Sequence, residues 1–65
     1  MFIHQEANRV VIGGVRSLQD FNPDSLTVRV KGGSVTVTGS RLEIARLDED
    51  EMEVRGKIEN VERSN

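Results

Sequence analysis

The sequence predicts an all-β domain: a small antiparallel sheet or partly closed barrel of five or six short strands. Three observations point there. Apolar and polar residues alternate with a period of two over Leu26–Thr38 and again over Met52–Glu59. Glycine pairs interrupt the alternating runs at Gly13-Gly14 and Gly32-Gly33. The aliphatic residues are rich in valine, which packs well on a pleated surface, while only two phenylalanines and no tryptophan or tyrosine are present.

The firmest element is a central hairpin. Leu26, Val28 and Val30 alternate with Thr27, Arg29 and Lys31; Val35 and Val37 alternate with Ser34, Thr36 and Thr38. Two-residue hairpin turns favour glycine because they demand positive φ. A turn at Gly32-Gly33 opposes Val30 to Val35 and Val28 to Val37, with the valines on one face and the polar residues on the other. A slip of one residue would destroy that agreement.

The remaining elements follow from the same pattern. Arg9 to Ile12 is a short strand whose consecutive Val10-Val11-Ile12 calls for cover on both faces. Val15, Leu18 and Phe21 fall at intervals of three, which fits either a short helical turn or an extended piece returning to the sheet. Asn22-Pro23-Asp24-Ser25 is a turn. Gly39-Ser40 turns the chain into a strand from Leu42 to Leu47, where Leu47 is out of phase with Leu42 and Ile44. A bulge near Ala45-Arg46 restores the phase, and an apolar side chain facing a partner explains it equally. Asp48-Glu49-Asp50 connects to a last strand from Glu51 to Val61, where Gly56 marks a bend or a close approach. Residues 1–8 and 62–65 are expected to be flexible ends around a single domain spanning 9–61.

Sixty-five residues allow only a modest core, with roughly 4,200 Å² of folded surface. Without cysteine there is neither a disulfide nor a thiolate metal site, and one histidine excludes a histidine-cluster zinc site. Association between copies is the remaining source of extra burial, and the surplus apolar positions Val11, Ala45 and Leu47 suit a shared surface. A formal charge of −2 gives no nucleic-acid footprint. No apolar run is long enough to span a membrane, and the opening residues do not read as a secretory signal, so the expected location is cytoplasmic.

Candidate chemistry is sparse. Gly32-Gly33-Ser34 and Gly13-Gly14 lack the lysine and the helix of a phosphate loop and read as turns. Asp48-Glu49-Asp50-Glu51 lacks the spacing of a calcium loop and reads as a solvated connection. His4 has no positioned nucleophile beside it, and Ser17, Ser25, Ser34, Ser40 and Ser64 have no activating system. Glu53 and Glu59, the one candidate for a glycosidase-like carboxylate pair, fall on the alternating polar face of a strand and read as solvated surface. Arg29, Lys31, Arg55 and Lys57 would form a weak basic surface only on neighbouring strands, the requirement of an alternative in which a small barrel binds nucleic acid or another ligand. The residues thus assign no catalytic, cofactor-binding or metal site, and no enzyme.

The segment Arg9 to Val61 resembles the YabP family of bacterial sporulation proteins, which includes YqfC-type chains. The likeness lies in Arg9-Val10-Val11-Ile12-Gly13-Gly14-Val15, Phe21, the stretch Leu26 to Gly39, Leu42-Glu43-Ile44, Leu47, and Glu53-Val54-Arg55-Gly56-Lys57-Ile58. Members commonly place an aromatic near the end of the last strand, where this chain has Val61-Glu62-Arg63-Ser64. The resemblance implies a non-enzymatic structural or assembly protein of spore formation or of the spore coat or envelope. It also implies a dimer, a possible second sporulation protein as partner, and an association with the developing spore. It carries no catalytic residue over.

Overall fold

Residues 1–65 are all described by a computed structural model, and the alternating runs become six antiparallel strands. These are β1 (Phe2–Glu6), β2 (Arg9–Gly13), β3 (Val15–Asn22), β4 (Ser25–Val30), β5 (Gly33–Asp48) and β6 (Glu51–Ser64). They form one sheet in the order β1-β2-β6-β5-β4-β3. The sheet is open: β1 and β3 end it without pairing to each other, so of the two expected forms the small antiparallel sheet is the one observed, and it does not close into a barrel.

β5 and β6 are the frame, 16 and 14 residues long. Gly39-Ser40 is not a turn, since β5 runs through it. The strand pair bends there instead. Register slips lie between Thr38 and Gly39 and between Ser40 and Glu43. Arg41 has φ 55° and Gly56 φ 139°. A Cβ on Gly39 would collide with the Lys57 carbonyl, and one on Gly56 would sit 2.6 Å from the Arg41 carbonyl oxygen. Backbone meets backbone at this corner.

The bend divides the sheet into two four-stranded halves. Before it, β5 pairs with β4 and with the end of β6; beyond it, β5 pairs with the start of β6, which also pairs with β2. Val10 and Ile12 of β2 share one buried cluster with Leu26, Val28 and Val30 of β4, Val35 and Val37 of β5, and Met52 and Val54 of β6. In a flat sheet β2 and β4 would lie about 14 Å apart, three strand spacings. The folded-over sheet is 18 Å deep in its smallest dimension, against about 10 Å between two packed sheet layers. Its accessible surface, 4115 Å², is close to the size-scaled expectation.

Backbone donors at the corner are taken up by the two outer hairpins. Gly39 N–H donates to the Asp24 carbonyl at 3.0 Å and Leu42 N–H to the Pro23 carbonyl at 2.8 Å, both in the β3–β4 turn. Gly56 N–H donates to Asn8 at 3.3 Å and Ile58 N–H to Ala7 at 2.9 Å, both in the β1–β2 turn.

The central hairpin forms with a corrected register. Val28 opposes Val35, Leu26 opposes Val37 and Val30 opposes Gly33, so the turn residues are Lys31 and Gly32. Only Gly32 has positive φ, 81°, as the second turn position of a type II turn requires. Gly33 serves another purpose: a Cβ there would collide with the Ser64 carbonyl of β6. The pairing moves by two residues, which leaves the valines on one face. Across the other face Thr27 and Thr36 share a 3.1 Å hydrogen bond between their hydroxyls.

Val15, Leu18 and Phe21 belong to a strand, not a helical turn. Register shifts leave Arg16 and Gln19 unpaired, and each extra residue stretches the spacing from two to three. The expected bulge near Ala45 is also present, between Ile44 and Arg46. At the ends of the chain, β1 pairs along its whole length with β2, and β6 pairs through Ser64. Phe2 lays its ring over Gly13, where a Cβ would occupy the same space.

The corner makes a graded prediction. Gly56→Ala, strained in φ and in contact with the Arg41 carbonyl, should lose about 2–4 kcal/mol in urea unfolding. Gly32→Ala, strained in φ but facing open space, should lose only about 1–2 kcal/mol. Equal losses would contradict the close approach.

Candidate functional site

The outer face of the β1-β2-β6-β5 half carries the ion pairs of the chain. Register places His4 opposite Val11 and Val11 opposite Glu53, which in turn opposes Arg46. Glu6, Arg9, Arg55 and Glu43 make the neighbouring row, and directly opposed residues share a face. Phe2, His4, Arg9, Val11, Arg46, Glu51 and Glu53 line an open depression of about 390 Å³.

Glu53 is the centre of this face. Its side chain is only 11% accessible, and Arg55 Nε donates to Oε2 at 2.7 Å. Arg46 Nε lies 3.7 Å from the other carboxylate oxygen. The hydrogen bond from Arg55 holds the Glu53 carboxyl below its ordinary value of 4.5, against the opposing effect of burial, with the charges of Arg55, Arg9 and Arg46 adding to it. Arg46 also donates to Glu51 at 2.6 Å and to Asp48. These two bonds, Glu51 first, raise the guanidinium pKa further. At the rim, His4 Nε2 donates to Glu6 at 2.8 Å, which with the Arg9 charge lowers the Glu6 carboxyl.

Sequence reasoning placed Glu53 on a solvated face, yet it is buried. The available signal was Val11, an apolar residue out of phase on the strand that turns out to be its neighbour. Val11 is 8% exposed and covered on this outer side, so it is not part of a free shared surface. Ala45 and Leu47 are exposed. Glu59 lies beyond the Gly56 bend from Glu53, so the two carboxylates do not converge on one site. The acidic run is divided in its tasks: Asp48 and Glu51 hold Arg46, while the Asp50 carbonyl accepts from Gly14 and Val15 N–H, both at 2.8 Å.

Arg29, Lys31, Arg55 and Lys57 are not brought together. β4 and β6 have β5 between them, and Arg55 is committed to Glu53. No group of three or more histidine, cysteine, aspartate or glutamate side chains is placed to hold a metal ion. No helix is long and apolar enough to cross a membrane.

The chain is an open, antiparallel all-β sheet with a network of paired ionic groups on one outer face. The YabP family model matches residues 3–65, and the chain belongs to the YabP family. Its non-enzymatic structural or assembly role is consistent with a function in sporulation. The match takes in both β1 and the end of β6, beyond the 9–61 segment that carries the sequence likeness. No curated protein matches the chain.

The depressed Glu53 carboxyl gives a signed pH prediction. In the unfolded chain the group returns to its ordinary value of 4.5, so its contribution is complete above that pH and is lost as pH falls through the lower folded value. Glu53→Gln should unfold at lower urea near neutral pH, and its midpoint should fall less between about pH 5 and about pH 3 than that of the natural protein. Parallel pH profiles would contradict the role assigned to Glu53.

Proposed function

We propose that the protein works by self-association, as a dimeric assembly factor of sporulation that docks a second sporulation protein, in the cytoplasm and against the developing spore. The observation that carries this reading is the state of the sheet edges. Phe2 and Ile3 on β1, Leu18 and Phe21 on β3, and Leu47 on the second half of β5 are all at least 36% exposed. Scattered apolar residues on a surface are ordinary. These are concentrated on strands that have a neighbour on one side only, where unpaired backbone groups offer a template for another chain. A chain this small gains the most from covering such surface.

Light scattering on the full chain at micromolar concentration tests the reading. The mass should exceed the 7.3 kDa of one chain and rise with concentration. A constant mass of one chain across that range would reject it.

A further inference from the structure

We infer that β3 is the self-association edge, and that a second copy adds to it antiparallel across a two-fold axis passing beside Leu18. This rests on the self-association proposed above and assigns it to one strand. The argument begins with spacing. The two bulges place Val15, Leu18 and Phe21 opposite Val30, Val28 and Leu26, hence on the core face of the sheet, at equal intervals on either side of Leu18. Rotation about Leu18 therefore sets Leu18 against its own copy and Phe21 against Val15 of the other chain. Leu18 and Phe21 are 45% and 41% exposed, so the contact covers side chains that the single chain leaves in water.

Charge obeys the same symmetry. Arg16 and Asp20 stand two residues either side of Leu18, and the rotation opposes each Arg16 to the other copy's Asp20. Both are exposed, and neither takes part in any ion pair of the chain. Two free, opposite charges at mirrored positions on an unpaired edge fit a second copy.

The bulges also select the partner. Bulged edges ordinarily discourage a regular strand from pairing, because the interval of three cannot follow an interval of two. A second β3 carries the same irregularity and matches it. β1 lacks this property: rotation about His4 would set Phe2 against Glu6. The end of β6 permits an opposition of Glu59 to Arg63 about Val61, but Val61 already packs against the core and no large apolar side chain is exposed there.

Charge reversal on the full chain tests the assignment. Arg16→Asp and Asp20→Arg, read by sedimentation equilibrium, should each raise the dissociation constant by about ten-fold or more, since each turns two attractions per dimer into repulsions. The double variant should return to within about three-fold of the natural protein. Leu18→Lys sets like charges together on the axis and should give monomer, while an unchanged circular dichroism spectrum shows that the chain still folds. Assembly unaffected by all three single changes overturns the β3 assignment, as does loss through Leu47→Lys alone. Failure of the double variant to recover also overturns it. A natural protein that stays monomeric overturns self-association itself.

Discussion

Bending a pair of β-strands strands backbone donors at the corner, and a buried N–H without a partner costs about 1–3 kcal/mol. The rest of this protein depends on how that cost is met. With no helix to cover the sheet, β5 and β6 must turn at Gly39–Arg41 and Gly56 so that one half of the sheet covers the other. The donors this exposes, on Gly39, Leu42, Gly56 and Ile58, are accepted by carbonyls of Asp24, Pro23, Asn8 and Ala7. Each outer hairpin is thus fixed twice, once along its ladder and once through its turn.

The same constraint arranges the surfaces. Folding the sheet over sends the valine faces inward and leaves the β1-β2-β6-β5 outer face to ionic groups, with Glu53 held between arginines of β5 and β6. It also leaves strand edges that no element of the chain covers. Membership in the YabP family supports a structural or assembly role.

The valine face, the Pro23 turn and the bulge after Ile44 were legible because local periodicity specifies them. What was illegible is long-range. Gly32 and Gly33 look alike in the sequence, and only the arrival of Ser64 beside Gly33 shows why the turn moves to Lys31-Gly32. An interval of three at Val15, Leu18 and Phe21 serves a helical turn or a twice-bulged strand equally well until β4 fixes the register. Gly39-Ser40 has the composition of a turn but lies within a bend, since its partner across the corner is Lys57. Phe2-Ile3-His4-Gln5-Glu6 has no clear alternation, and pairing with β2 makes it a strand all the same. Glu53 was misplaced for a related reason: its burial depends on Arg46 and Val11 from other strands.

Amide hydrogen exchange tests the corner most directly. Leu42 and Ile58 N–H, although their acceptors lie in exposed hairpin turns, should exchange as slowly as Val28 and Val54 in the core, because the turn carbonyls close the fold over them. Rapid exchange at Leu42 and Ile58 beside slow exchange at Val28 and Val54 would show that the outer hairpins do not hold the bend.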